Sequence, residues 1–359
     1  LTLLLSNEEI DGLLQMPDCI DAMEQAFRSF GAGRAGNAGR CEILTPTDRA
    51  DALYSLTNMN GALPDLGVAA IRINSDILTW PASGEGLKRV KVPSAPNERY
   101  VGLVLLFSTS TGEPLAIYPD GVVQRMRTGA TSGLAARYLA RADASVAALL
   151  GTGWQAGSQA MAICAVRPIR QVRCYSPRAE SRRSFAAEMS ARLGIEVIAI
   201  PSAREAVAGA DVVLCATNSM EPMLPPEWLE PGMHVSSLKR LELDACVAEA
   251  ADVVVTHSRN AQAPAQVIRA EGADLARDTD QRKAMLAEAI NEDAMPTLAD
   301  IVLGRAAGRR SEHDITLFLN YTGMGYQFAG TGALIYRRAM ERGVGRVLDT
   351  DWFTSSAPS

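Results

Sequence analysis

The chain is poor in several features that would point quickly to a function. Of its 359 residues only three are histidine, His234, His257 and His313, far apart and in no HxxxH or HxH spacing. A histidine-held metal is therefore not expected. The six cysteines, Cys19, Cys41, Cys164, Cys174, Cys215 and Cys246, stand singly with no CxxC pair. Most lie in apolar runs, where a cysteine is usually a small buried hydrophobe. Neither structural zinc nor a disulfide framework is expected, and a reduced, cytoplasmic compartment is. No stretch approaches the roughly 18 apolar residues of a membrane span. Leu1 to Glu9 lacks the charged leader and long apolar core of a secretion signal. Basic charge is not in excess, and a net charge of -6 argues against nucleic acid or an anionic membrane surface as the main partner. There is no GxSxG elbow, and Cys215 has no histidine near it in sequence, so nucleophilic catalysis has no support.

What is present is ordinary for a globular protein: 47% hydrophobic and 21% charged residues, in a chain long enough for two domains. Residues 1 to about 125 mix helix and strand. A short capped helix is expected from Asn7 and an amphipathic one over Pro17–Phe30, with Ile20, Met23, Ala26 and Phe27 on one face. Strands are expected around Cys41–Leu44, Ala52–Met59, Gly67–Ile73 and Val101–Ser108. Between the last two, Ser75 to Arg99 reads as a long insertion carrying Lys88, Arg89, Lys91 and Arg99, a length usually functional or mobile. Within it, Trp80-Pro81 could wall an apolar pocket or anchor the loop. From Arg127 the texture changes. A small-residue helix over Thr128–Leu139 precedes six apolar runs separated by helical stretches: Ser145–Leu150, Gln171–Ser176, Glu196–Ile200, Asp211–Ala216, His234–Leu238 and Asp252–Thr256. Such alternation suits a parallel sheet covered on both faces. A long helix is expected over Gly323–Val344.

The run Ala147–Leu150 leads into Gly151-Thr152-Gly153-Trp154-Gln155-Ala156, a GxGxxA turn, and then into a helix. In this context Gly151 permits the tight turn and Gly153 lets a pyrophosphate approach the backbone. Ala156 lets the helix pack closely, with its N-terminal amides aimed at the phosphates. Sites for NAD usually end the second strand with Asp or Glu, which holds the ribose 2′-hydroxyl. Here the strand ends Tyr175-Ser176-Pro177-Arg178, with Arg182 and Arg183 beyond. A hydroxyl and a guanidinium suit a 2′-phosphate, so NADP is favoured over NAD. The arginines could equally be a solvated helix face. His234, opening its strand near where ligands bind in such folds, is either a proton donor or a structural residue.

With Arg127-Thr128-Gly129-Ala130-Thr131-Ser132-Gly133 leading into the GxGxQA turn, and with Gly323-Met324-Gly325-Tyr326-Gln327-Phe328-Ala329 opening the last helix, the chain resembles the ornithine cyclodeaminase/mu-crystallin family over nearly its whole length. The resemblance implies an α/β fold in which a Rossmann-type domain (126–319) is inserted in a discontinuous α+β substrate and dimerisation domain (1–125 and 320–359). It also implies a homodimer acting on α-amino or α-imino acids. Arg127 matches the arginine that grips the substrate carboxylate, although a domain-linking ion pair would also use such a residue. Arg40 matches a second carboxylate-binding position, or is a plain surface arginine. Thr128 and Ser132 match residues touching the cofactor phosphates. Thr217, Ser237 and Lys239 are assigned to the cofactor, as is Asn320, which stands near a nicotinamide-side position or caps a turn.

Two departures from the family pattern matter. Arg72 stands where many members have lysine; it could orient a substrate but hardly relay a proton. The family's catalytic aspartate is missing from the shortened segment His234-Val235-Ser236-Ser237-Leu238-Lys239-Arg240-Leu241-Glu242, although Lys239 and Glu242 match. Elimination of ammonia would lack its acid/base group, whereas hydride transfer to a preformed imine needs only a nicotinamide, a carboxylate clamp and a proton. The expected function is therefore NAD(P)H-dependent reduction of a small α-imino acid or cyclic ketimine, with Arg40, Arg72 and Arg127 holding carboxylate. Three arginines at one site would suit a diacid or a sulfonate. The alternatives are an NAD-dependent cyclodeaminase and a nucleotide-binding protein with little catalysis.

Overall fold

The computed structural model describes all residues except 84, 85, 88, 260–265, 268–284, 287 and 357–359; Lys88 lies outside the described residues. The chain opens with strand β1 (Thr2–Leu4) and helices α1 (Asn7–Leu13) and α2 (Met16–Gly31). Ser6 and Glu9 cap α1 reciprocally, each side chain accepting from the other's amide. In α2 the 3–4 spacing of Cys19, Ile20, Met23, Ala26 and Phe27 puts all five in the core.

Strands β2 (Cys41–Pro46), β3 (Ala52–Leu63), β4 (Val68–Thr79), β5 (Val90–Val92), β6 (Val101–Ser108) and β7 (Pro114–Pro119) build most of a large sheet. β3 and β4 form a hairpin twelve residues long on each side. It closes at Gly67, whose φ of +69° favours glycine. Its register sets Met59 opposite Arg72, Thr57 opposite Asn74 and Ser55 opposite Asp76. Along β4 every second residue from Val68 to Leu78 is buried, and three of these are polar: Arg72, Asn74 and Asp76. The hairpin thus carries a polar stripe on its covered face, where a core would normally be apolar.

Helix α3 (Gly121–Leu139) leads to the second sheet: β8 (Val146–Leu150), α4 (Trp154–Val166), β9 (Gln171–Tyr175), α5 (Ala179–Leu193), β10 (Glu196–Ala199), β11 (Val212–Cys215), β12 (His234–Ser237), β13 (Val253–Thr256) and β14 (Thr316–Leu319). These seven strands are parallel in the order β10-β9-β8-β11-β12-β14-β13. The order reverses at β8, and a Rossmann-type sheet binds ligands beyond the carboxyl ends of its strands at such a point. Helix α6 (Gly325–Arg342) then crosses back over β3 and β4, and β15 (Arg346–Leu348) pairs antiparallel with β1. The Rossmann-type unit therefore interrupts the first sheet's own chain. Gln266–Val267 from within the interruption also pairs with β2.

Several expectations need correction. Much of the stretch from Ser75 to Arg99 is strand, since β4 continues to Thr79 and β5 pairs back on it. The buried polar residues Asn74 and Asp76 had masked its alternation. Trp80 packs on Leu44, Leu53 and Leu78, so it anchors this region. α3 begins at Gly121, seven residues before the expected start and upstream of 126; glycine and two valines are poor helix formers that packing overrides. β14 is a seventh parallel strand whose four residues were too short to stand out. His234 lies at the amino end of β12, opposite Val212 and Thr316, away from the ligand edge. Its Nδ1 meets Thr316 Oγ1 at 2.9 Å, and burial pushes its pKa down to about 3, so it is a neutral structural residue.

Candidate functional site

The carboxyl edge of the parallel sheet is organised around the turn after β8. Gly151 has φ +111°, and a Cβ there would lie 2.3 Å from the Ala216 carbonyl oxygen, so only glycine fits. At Gly153 a Cβ would meet nothing within 4 Å, and no side chain caps α4. Uncapped amides beside open space are what a pyrophosphate requires. Ala156 is fully buried. Gly129 brings α3 so close to α4 that a Cβ would sit 2.5 Å from the Ser158 carbonyl oxygen. Gln155 Nε2 donates to Gln124 Oε1 at 2.6 Å, while its own Oε1 is buried without a partner. Thr128 Oγ1 donates to the Gln124 carbonyl at 2.7 Å. Ser132 is turned inward, its hydroxyl bonded by Asn320 Nδ2 (2.9 Å) and Ser236 Oγ (3.3 Å). Asn320 also bonds the Thr128 carbonyl at 3.2 Å, tying β14 to α3.

At the end of β9, Thr152 Oγ1 donates to Ser176 Oγ at 2.9 Å. Arg182 bonds the Ser176 and Pro177 carbonyls (3.0 and 3.2 Å), and Arg183 bonds Ala179 O at 3.2 Å. Both are spent on the local backbone, while Arg178 stands exposed just before α5.

On the other side of the turn, the loops after β11 and β12 share one carboxylate. Glu242 is fully buried; its Oε1 accepts from the Thr217 amide, and its Oε2 accepts from Ser237 Oγ (3.1 Å), the Leu238 amide (3.2 Å) and the Lys239 amide (3.1 Å). Burial raises its pKa, against the pull of Lys239 and these donors. Thr217, Ser237 and Lys239 are thus held together by a residue that the sequence offered only as a family match.

Facing this edge from the first sheet is a guanidinium cluster. Arg127 from α3 is 4% exposed; its Nη1 donates to Gln327 Oε1 at 3.2 Å, and its Nε is buried without a partner. No described carboxylate lies within ion-pair distance of it. Arg127 and Arg72 share the Phe328 ring, their Cζ atoms 5.0 and 5.6 Å from its centre. Burial pulls the Arg127 pKa down to about 9, with Arg72 and Arg40 adding to the pull and Asp120 opposing it. The charged form is therefore held at a cost that a bound carboxylate would relieve. Arg72, by contrast, already has its anion: Asp120 Oδ2 lies 2.8 Å from Nε and 2.7 Å from Nη2, and also accepts from Asn74 Nδ2 at 3.0 Å. Arg40 reaches Glu42 at 3.5 Å. The three arginines come together, but only Arg127 meets no described carboxylate.

Sequence reasoning passed over Asp120 and Gly102, and took Gly323 as the opening of a helix that begins at Gly325. Asp120 precedes a helix and would be read as a cap, yet it caps nothing and binds Arg72 instead. A Cβ at Gly102 would sit 2.0 Å from Asp120 Oδ1, and one at Gly323 2.7 Å from Arg127 Nη1, so both glycines make room for this cluster.

The sequence profile of the ornithine cyclodeaminase/mu-crystallin family matches residues 85–343. The chain belongs to this family. Among its curated members, an alanine dehydrogenase of Archaeoglobus fulgidus is 28% identical over 349 residues, covering 96% of this chain and 97% of the relative. A Delta(1)-pyrroline-2-carboxylate reductase of Bacillus cereus is 30% identical over 288 residues, 76% of this chain and 84% of the relative. Solved structures agree in fold. Thermococcus litoralis Delta(1)-pyrroline-2-carboxylate reductase, in complex with NADH and L-proline, gives a TM-score of 0.76 at 30% identity, covering 96% of this chain and all of that one. An archaeal alanine dehydrogenase dimer with bound NAD gives 0.75 at 26% identity, covering 97% and 99%.

Proposed function

We propose that this chain reduces a small α-imino acid or cyclic ketimine to the amino acid, using NADPH or NADH. Arg127 carries this reading: a buried guanidinium with no described carboxylate in contact, beside a sheet edge suited to a dinucleotide. The relatives' names point the same way, towards reductases and dehydrogenases of amino and imino acids. Bound at that edge, the nicotinamide supplies a hydride to the imine carbon, and the imine nitrogen takes a proton, completing the amine.

The chain's own groups bind and orient. Arg127 holds the substrate carboxylate. Arg72, held by Asp120, which also accepts from Asn74, borders the same ring and orients the substrate, and the proton is assigned to solvent. Gly151, Gly153, Gln155, Ala156 and Thr128 line the phosphate side, with Ser132 and Asn320 positioning α3. Thr217, Ser237 and Lys239, braced by Glu242, border the nicotinamide side. Elimination of ammonia is disfavoured because the buried carboxylate after β12, Glu242, is committed to its four donors and the family's aspartate is missing from this segment.

The test is nicotinamide absorbance during turnover with keto acids plus amines and with cyclic imines. Arg127→Ala should lower kcat/KM roughly a hundred- to a thousandfold, about 3–4 kcal/mol, because it removes a buried ionic contact. Unchanged turnover in that variant would end the assignment. Ammonia release from ornithine without net change in NADH would instead indicate a cyclodeaminase.

NADPH is the preferred coenzyme on this reading, because β9 ends in Ser176 and the exposed Arg178 with no carboxylate to repel a 2′-phosphate. A homodimer belongs to the same proposal. The sheet face opposite α2, α3 and α6 carries Ile43, Leu56, Ile71, Ile73, Leu103 and Leu105 by register, interleaved with Asn58, Asn60 and Ser75, and Leu103 is 41% and Ile43 38% exposed. A face of this kind calls for a second copy. Light scattering should give twice the chain mass, and Leu103→Glu should halve it; a monomeric parent would end this part of the proposal.

A further inference from the structure

The polar stripe of the hairpin carries more charge than one α-carboxylate needs. Next to the Met59–Arg72 row lies Glu42–Thr57–Asn74, and beyond it Ser55–Asp76. Glu42 is shared between two guanidiniums, Arg40 at 3.5 Å and Arg89 at 2.9 Å, and accepts from Ser55 Oγ at 2.9 Å. Lys91 reaches Asp76 at 2.7 Å. By register these groups adjoin the clamp, in which Asn74 and Arg72 meet on Asp120 and Arg72 shares the Phe328 ring with Arg127. Among the described residues of this stripe and clamp, Arg40, Arg72, Arg89, Lys91 and Arg127 stand against Glu42, Asp76 and Asp120.

Depth sorts these charges by sign. The Glu42 and Asp76 side chains are 5% and 7% exposed, while those of Arg40, Arg89 and Lys91 are 24%, 33% and 45% exposed. Burial pulls the Glu42 pKa up, but Arg40 and Arg89 outweigh it and hold the carboxyl below its ordinary value. A ligand entering from solvent therefore meets cationic tips over sunken carboxylates. An ammonium group would be repelled there, and an aliphatic one would strip water from guanidiniums without replacing it.

We propose that the preferred substrate is a dianionic imino acid, its α-carboxylate on Arg127 and its distal carboxylate between Arg40 and Arg89. This rests on the imine-reduction reading above and adds the chemistry of the side chain. Asn74 and Glu42 lie two strands apart, about 10 Å at the usual strand spacing, and long arginine side chains close much of that gap, so a diacid of about four or five carbons spans it.

The test compares imines formed from ammonia with oxaloacetate or 2-oxoglutarate against those from pyruvate or 2-oxobutyrate. In parallel, thermal shifts with succinate and with butyrate report binding without turnover. The diacids should show at least about a tenfold higher kcat/KM, equivalent to about 1.4 kcal/mol, and succinate alone should raise Tm. Arg89→Met should collapse that ratio and the succinate shift, while Arg89→Lys retains most of both. A preference for monoacids, or a ratio untouched in Arg89→Met, would overturn the proposal. If no imine is reduced, the imine-reduction reading fails by itself, and the succinate shift still decides whether a second anion is recognised.

Discussion

His257 is a side chain whose protonation the fold suppresses. It closes β13, its amide bonded to the Leu319 carbonyl at 2.9 Å, and its ring lies 5.5 Å from Phe27 and 6.4 Å from Phe318. Both ring nitrogens are buried without partners, and burial, reinforced by Arg127, lowers its pKa from 6.5 to about 3. The unfolded chain therefore takes up this proton first. The contribution to stability is whole above pH 6.5 and is lost as pH falls from there towards 3. Between pH 6 and 5 the parent should lose about 1.4 kcal/mol more per pH unit than His257→Phe, whose ring cannot titrate. Urea unfolding at several pH values checks this, and parallel curves for the two proteins would contradict it. At this scale motifs in the sequence singled out Gly151, Gly153 and Arg127, the residues on which the proposed function rests. The sequence was not legible for Asp120 or Glu42, whose partners Arg72 and Arg89 stand 48 and 47 residues away in sequence.

At the scale of elements, the close approach of the hairpin to the last helix positions the clamp. Gly61 in β3 and Gly325 at the start of α6 face each other so tightly that a Cβ on Gly325 would lie 2.0 Å from the Asn60 carbonyl carbon, and one on Gly61 2.1 Å from the Tyr326 nitrogen. That contact places Gln327 and Phe328 against Arg127 and Arg72. Backbone cannot yield as a flexible side chain can, so Gly325→Ala should cost about 3 kcal/mol or more, and urea titration should show the loss. A variant within about 0.5 kcal/mol of the parent would contradict this packing. The helices α2 and α6 and the alternating runs of the second sheet were readable, because apolar spacing is a local signal. Strands β1 and β15 have three residues each and pair the two ends of the chain, and β7 lies parallel to β1 across more than a hundred residues of sequence. The continuation of β4 was hidden because its covered face is polar. The residues that hid the strand, Asn74 and Asp76, pair with Asp120 and Lys91 on that face.

For the whole molecule, α3 links the two sheets: Asn320 at the end of β14 bonds its Thr128 carbonyl, and its Arg127 shares the Phe328 ring with Arg72 of β4. On the proposed reading imine reduction draws on both halves, the coenzyme on the turn after β8 and the substrate carboxylate on Arg127. The insertion of one unit in the other was legible from the turn after β8 and the closing helix read together with the family resemblance. The pairing of Arg72 with Asp120 was not, and it is why the proposed function gives the substrate carboxylate to Arg127. The account depends first on coenzyme binding at the turn after β8, which fluorescence titration with NADPH and NADH measures directly. Saturable binding at one site per chain, tighter for NADPH, weakened for NADPH in Arg178→Ala and abolished in Gly153→Val, is the predicted result. Failure of both coenzymes to bind, or undiminished binding in Gly153→Val, would contradict it.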